Sequence, residues 1–371
     1  MNMFCNKKTS TEKQLISFLM GAHSVICFLF LALPMIQSQA LVPEQRAARV
    51  PAVFAFGDSV VDSGNNNMLL TTAKCNFPPY GRDFIGHRAT GRFSNGKIPT
   101  DLFASYLGVK ELLPAYLDPD IKEHDLLTGV SFASGGAGYD NLTAEIPLVF
   151  SLWDQLEMFK EYKRKLEAIA GEMRAANIVA ESQCIIFSGT NDLMTTYFTT
   201  SIRALSYDLP SYINFMLQAA SSFVEELYSL GARKIAVIGV PPIGCVPAQR
   251  TLKGGITRDC VDTYNQASIK FNSELSMRLE RLATYHPGAR IMYIDIYNPL
   301  LELILHPSDY GFEEATKGCC GTGKIEATIL CNDLTPFTCP DATKYLFWDG
   351  FHPTERGYEI LVTKITQNQG I

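Results

Sequence analysis

A positive charge excess is missing from this sequence, and with it the usual means of holding a polyanion. Against 38 Asp+Glu stand 32 Lys+Arg, a formal charge of −6. No basic run or basic helix face offers the phosphate footprint of a nucleic-acid binder, so no nucleic-acid partner is expected. Beyond residue 40 no apolar run approaches the roughly 20 residues that cross a bilayer. Internal repeats, low-complexity tracts and Pro/Ser-rich linkers are absent, which removes the signs of a second domain. The Cys-x-x-Cys pairs typical of structural zinc are also absent, so no metal site is expected. With 47% hydrophobic and 19% charged residues, the composition is that of a globular chain and not of a disordered one.

The N-terminus is the one strongly apolar region. Lys7, Lys8 and Lys13 precede an apolar stretch centred on Val25 to Met35, and Ser38-Gln39-Ala40 follows. Residues 1–40 therefore read as a secretory signal peptide. A signal anchor is the alternative, since Leu15 to Ile36 nearly reaches spanning length, but His23, Ser24 and Pro34 interrupt it. Residues 41–371 are then expected to form a single domain, released outside the cell and without a stable membrane anchor.

Cysteine usage fits that compartment. Cys5 and Cys27 leave with the leader, and the eight that remain can pair as four disulfides where the surroundings are oxidising. Cys319, Cys320, Cys331 and Cys339 border a Gly-rich segment with no helical or strand periodicity, and a disulfide clasp on a long loop is the simplest account. Cys184 lies inside the apolar run Gln183 to Ser188 and reads equally as a buried thiol, which would leave one more cysteine unpaired. The only Asn-x-Ser/Thr sequon, Asn141-Leu-Thr143, predicts a surface position and a candidate glycosylation site.

Five short apolar runs punctuate the chain: Val50 to Phe56, Gly129 to Ala133, Gln183 to Phe187, Lys234 to Val240 and Ala289 to Ile294. Helical periodicity fills Pro99 to Leu107, Ser151 to Ala170, Ser211 to Leu230, Val261 to Tyr285 and Thr354 to Thr366. Alternation of this kind predicts an α/β fold with a parallel sheet covered on both faces. In such sheets ligands bind beyond the carboxyl ends of the strands.

Those ends carry the chemistry. The first run leads into Gly57-Asp58-Ser59-Val60, where a Ser after a strand-ending Gly can present its hydroxyl at the top of the sheet. A plain Gly-Asp-Ser turn with a helix cap reads the same tetrapeptide without chemistry. The second run leads into Ser134-Gly135-Gly136-Ala137-Gly138 and the third into Gly189-Thr190-Asn191-Asp192. A base must come from the five histidines left after the leader. His87, His124, His286 and His306 have no neighbour of obvious use, whereas Asp349 precedes His352 by three residues in Trp348-Asp349-Gly350-Phe351-His352-Pro353. At that spacing a carboxylate can fix the imidazole tautomer. Phe77 with Tyr80, and Tyr197 with Phe198, are candidate groove aromatics, though packing roles account for them better.

Taken in order, Gly-Asp-Ser-Val, the Gly-rich turn, Gly-Thr-Asn-Asp and Asp-x-x-His resemble the GDSL or SGNH esterases and lipases. Cys75-Asn-Phe-Pro-Pro-Tyr-Gly81, Thr90-Gly-Arg-Phe-Ser-Asn-Gly96, Pro241-Pro-Ile-Gly-Cys-Val-Pro247 and Lys317-Gly-Cys-Cys-Gly-Thr-Gly323 look like the plant branch, in particular its secreted extracellular-lipase and anther- or pollen-coat types. The resemblance implies a three-layer α/β/α sandwich with a five-stranded parallel sheet of flavodoxin-like form. It implies an ester hydrolase, needing no cofactor, located in the cell wall or at the cell surface and acting on acyl-ester or lipid substrates. By the same resemblance Ser59 is the nucleophile, His352 the base and Asp349 its orienting partner. Ser59, Gly136 and Asn191 are the oxyanion donors, Gly136 being chosen over Gly135 because it lies five residues after Ser131. Ser131 stands where the family commonly has Asn, and Val60 where its name-giving motif has Leu. A Gly-x-Ser-x-Gly elbow is absent, which argues against the ordinary α/β-hydrolase arrangement. An extracellular acyltransferase using the same site and a non-catalytic lipid-binding coat protein are the other two functions open to such a chain.

Overall fold

Val53–Gly57 (β1) begins the described core, and all five of its residues are buried. An unbroken apolar run is what a strand covered on both faces needs. Gln183–Phe187 (β2), Lys234–Ile238 (β3) and Arg290–Ile294 (β4) join it in one parallel sheet ordered β1-β2-β3-β4. Val53 pairs with Gln183, Gln183 with Lys234 and Lys234 with Arg290, so the four carboxyl ends lie in one row. The computed structural model describes residues 48–334 and 337–369; the expected signal peptide, with Cys5 and Cys27, lies outside the described residues.

The second predicted run, Gly129 to Ala133, is not a regular strand. Ser131 alone forms bridges, to Ala55 and to Ala115. The segment still follows the free edge of β1, with Ala55 N–H donating to Val130 O, Phe132 N–H to Ala55 O and Ser134 N–H to Gly57 O. Its outer carbonyls are taken elsewhere: the Asn65 side-chain amide donates to Ser131 O at 2.9 Å and to Ala133 O at 2.7 Å. Counting this edge segment second in chain order, the arrangement is the doubly wound 2-1-3-4-5 order, whose switch point lies between β1 and β2.

The helices are α1 (Pro99–Tyr106), α2 (Glu123–Thr128), α3 (Asn141–Glu145), α4 (Leu152–Ala170) and α5 (Glu172–Glu181), followed by α6 (Leu209–Ser229), α7 (Pro247–Lys253), α8 (Asp262–Tyr285), α9 (Tyr297–Leu305) and α10 (Glu355–Gln369). Local chemistry sets several limits. Ser151 Oγ accepts from Asp154 N–H while the Asp154 carboxylate accepts from Ser151 N–H, a reciprocal cap that starts α4. Asp208 caps α6, whose second residue is Pro210. On one face of the sheet Phe54 and Phe56 pack against Phe159 of α4, and Phe56 also meets Phe223 of α6. Helices α1 and α9 pack against α10. Among the described residues no helix is long and apolar enough to cross a membrane.

Glu314–Gly318 (β5) and Tyr345–Phe347 (β6) form a separate two-stranded parallel sheet that no apolar alternation announced. Disulfides Cys319–Cys339 and Cys320–Cys331 clasp the loop between them, and Cys245–Cys260 closes a third link. The structure therefore holds three bridges where eight cysteines allowed four. Cys184 and Cys75 remain free and buried, because Cys184 points into the main core while Cys75 packs in a satellite cluster with Tyr80, Phe93 and Trp348. Burial alone pushes the Cys184 thiol up to about 12.

Candidate active site

The Ser59 turn is possible because β1 ends in glycine. Gly57 has φ 132°, and a Cβ there would lie 1.8 Å from Phe187 O, so no other residue lets the chain leave the sheet at this point. Asp58 N–H then donates to Phe187 O at 3.0 Å, which sets Ser59 at the strand end with 9% of its surface exposed.

Buried acids and amides hold the following loop. Asp62 accepts from Gly64 N–H at 2.7 Å and Asn65 N–H at 2.8 Å through one oxygen, and from Gly135 N–H at 2.9 Å through the other. Asn66 donates to Gly135 O at 2.8 Å, and Ser131 Oγ donates to Val61 O at 2.7 Å. The loops after β1 and after the edge segment are thereby tied together. With Gly135 N–H engaged by Asp62, Gly136 and Ser59 line the cavity, and neither backbone N–H has a protein partner among the described residues. Gly136 has φ 93°, a conformation that disfavours any side chain.

Asp192 fastens the third loop. It accepts from Tyr139 N–H and Asp140 N–H, each at 2.9 Å, and from Thr143 Oγ1 at 2.8 Å. It opens a π-helical segment, Asp192–Thr199. Beside it Asn191 donates one amide hydrogen to Ala137 O at 2.9 Å, leaving its other hydrogen for a ligand. Burial raises the carboxyls of Asp58 to about 7, Asp62 to about 6 and Asp192 to about 6, against the backbone donors that lower them.

The fourth contribution comes from Trp348–Pro353. Cys319 N–H donates to Phe347 O and Cys320 N–H to Trp348 O, so the disulfide-clasped loop carries this turn. Fully buried Asp349 accepts from the N–H groups of Phe351 and His352, both at 2.8 Å, and lies 2.8 Å from His352 Nδ1. On the other side of the ring, His352 Nε2 is 2.8 Å from Ser59 Oγ, across 293 positions of sequence. A carboxylate at Nδ1 draws the ring proton to that nitrogen and leaves Nε2 as the acceptor for Ser59 Oγ–H. The Phe93 ring, 5.2 Å from the imidazole between centroids, covers it.

Sequence reasoning named Tyr80 only as a candidate groove aromatic and missed its contact with Asp349. Its hydroxyl donates to Asp349 Oδ2 at 2.7 Å and accepts from Thr328 N–H at 2.8 Å. Burial and the neighbouring Asp349 charge hold the phenol well above its usual range, so it stays a donor. Its block, Cys75 to Gly81, had been noted, but nothing in the block pointed to Asp349. Neither aromatic pair lines the cavity: Phe77 packs edge-on against Tyr80, and Phe198 stacks on Tyr264. Ser59, Gly136, Asn191 and His352 all line one cavity of ≈ 260 Å³, which continues inward to Phe103 and Leu361. Asn141 stands apart, exposed at the start of α3.

Comparison with known proteins identifies the relatives of this chain. A family model described as GDSL-like Lipase/Acylhydrolase matches residues 53–365. GDSL esterase/lipase EXL3 of Arabidopsis thaliana is 52% identical over 314 residues, 85% of this chain and 86% of that protein. A second GDSL esterase/lipase of Arabidopsis thaliana is 49% identical over 319 residues, 86% of each. Among solved structures, the extracellular lipase of Streptomyces rimosus aligns with 14% identity and a TM-score of 0.35, over 85% of this chain and all of that one. Identity near one half, over nearly the whole described chain, leaves one conclusion: the chain belongs to the plant GDSL esterase/lipase family and is a carboxylic ester hydrolase.

Proposed function

We propose that the protein is a secreted serine esterase or lipase that cleaves acyl or lipid esters through an acyl-enzyme on Ser59. The observation that carries this reading is the pair of contacts on one imidazole, Ser59 Oγ at Nε2 and Asp349 at Nδ1. Ser59 Oγ attacks the ester carbonyl as its proton passes to His352 Nε2. Asp349 stabilises the imidazolium and holds the ring in plane. Negative charge on the former carbonyl oxygen is met by Ser59 N–H, Gly136 N–H and the Asn191 amide. The bond to the alcohol oxygen then breaks, and that oxygen leaves with the proton from Nε2. Water repeats the sequence: it gives a proton to Nε2, attacks the acyl carbon, and the acid departs as Ser59 regains its proton. Tyr80 acts through Asp349 as a positioning residue. The first 40 residues serve as the leader in this reading, residues 41–371 as one hydrolase domain, and Asn141 as the exposed glycan acceptor.

The test is labelling of the purified protein by a fluorophosphonate probe, beside Ser59→Ala and His352→Ala variants checked by circular dichroism. The native protein labels and the folded variants do not; their ester turnover falls by about 10⁴-fold or more. Equal labelling of Ser59→Ala would sink the assignment.

A further inference from the structure

The cavity that begins at Ser59 and His352 has two ends of different character. Its outer end is a groove beside Ile146 and Pro147, the first of them 40% exposed. Its inner end runs between the carboxyl end of β3 and helices α1, α9 and α10, and is walled by buried Ile238, Phe103, Leu300, Leu361 and Ile365. Protein interiors normally close such spaces, since side chains pack to crystal-like density. On the same wall the Tyr358 hydroxyl is buried and has no hydrogen-bond partner among the described residues, the mark of a space that protein atoms alone do not complete.

We infer that this inner chamber receives the acyl chain of the substrate and limits its length, while the alcohol part lies in the outer groove. The inference rests on Ser59 being the nucleophile. Order of departure supports the assignment. After the first step the alcohol must diffuse away while the acyl group remains bonded to Ser59 Oγ. An alcohol in the closed chamber would be trapped behind that acyl group, whereas an acyl tail there obstructs nothing. The wall also suits a hydrocarbon, which gains by leaving water in proportion to the area it buries. An apolar cavity of about 150 Å³ holds a six-carbon ring. By that scale the whole cavity, ≈ 260 Å³, would hold about ten carbons, so the inner chamber, which is only part of it, takes fewer.

The experiment is kcat/KM for a series of p-nitrophenyl esters of unbranched acids from two to sixteen carbons. Each added methylene raises kcat/KM about fourfold until the chamber is full, at fewer than about ten carbons, after which the rise stops. Ile365→Phe, which fills the inner end, moves the break to shorter chains, and Ile365→Ala moves it to longer ones. Opposite shifts from one position are not a consequence of general loosening. Leu300→Phe and Leu300→Ala repeat the pair on α9, so a misfolded variant at either site still leaves a decision. A break that stays fixed in the folded variants, or that moves only with Ile146→Trp in the outer groove, overturns the chamber. Loss of turnover in Ser59→Ala together with a fixed break discards the chamber alone; full turnover in Ser59→Ala discards the nucleophile and the chamber with it.

Discussion

The two sides of the Ser59–His352 contact are held by different physics. On the Ser59 side, the loops after β1, the edge segment and β2 contain none of the observed disulfides; buried Asp62 and Asp192, with Asn65 and Asn66, take up the backbone groups that irregular chain leaves open. On the His352 side the supporting loop is clasped by Cys319–Cys339 and Cys320–Cys331, and Tyr80 reaches in from the opposite side to hold Asp349. Charge burial makes the first side answer to pH and to the loss of single acceptors. Covalent closure makes the second answer to reductant.

The sharpest way to break the first side is Asp62→Ala. It leaves the N–H groups of Gly64, Asn65 and Gly135 without their acceptor, and we expect a loss of about 4 kcal/mol in urea unfolding. On the other side, the paired change Cys320→Ser with Cys331→Ser opens a link of sequence separation 11. The expected cost is about 3 kcal/mol, with ester turnover falling in step as the turn that carries His352 loosens. Reductant added to the native protein lowers turnover in the same direction, and lowers it less in the double variant, where Cys319–Cys339 is the remaining clasp on that loop. A melting temperature unchanged in that variant would remove the covalent half of the comparison.

Tyr80→Phe is a smaller and more local test. Removing a hydrogen bond to a buried carboxylate costs about 1.5 kcal/mol, so kcat falls roughly tenfold while KM holds. A purely structural phenol would lower the yield of folded protein without moving kcat per labelled Ser59. The last test concerns pH. Burial raises the Asp58 carboxyl from 3.8 to about 7, so between those values the folded protein binds more protons than the unfolded chain. Its contribution to stability is therefore full below pH 4 and lost as pH rises through 7, with a slope of at most about 1.4 kcal/mol per pH unit. Unfolding of Asp58→Asn, measured from pH 5 to 8, should show a shallower decline than the native protein.

What could be read from residues alone follows the same division. The runs at 183–187, 234–240 and 289–294 and the long amphipathic segments correspond closely to β2, β3, β4, α4, α6 and α8, because continuous apolar runs and 3.6-residue periodicity are local signals. The run at 129–133 follows the edge of β1 as its apolar pattern suggested, although only Ser131 forms bridges there. Helices α5, α7 and α9, of ten, seven and nine residues, the π-helical turn and the small β5–β6 sheet were too short to stand out. Within the site, the turns bearing Ser59, Gly136, Asn191 and His352 were legible as Gly-bearing or Asp-x-x-His blocks at strand or loop ends. Tyr80 was visible only as an aromatic in a Pro-rich loop.

By itself the sequence determined which groups were on hand: a Ser after Gly57, a carboxylate three residues before His352, an amide at Asn191, and glycines where the backbone takes φ values that side chains resist. Spacing along a chain constrains short loops, so Asp349 and His352 were bound to be neighbours. The tertiary structure alone decided that Ser59 Oγ would lie 2.8 Å from His352 Nε2, that Tyr80 would close on Asp349, and that Gly135 N–H would be engaged while Gly136 N–H was left open. Those contacts join segments from 73 to 293 residues apart. Their positions come from how the sheet, the clasped loop and the buried acids pack together, and no local pattern encodes that sum.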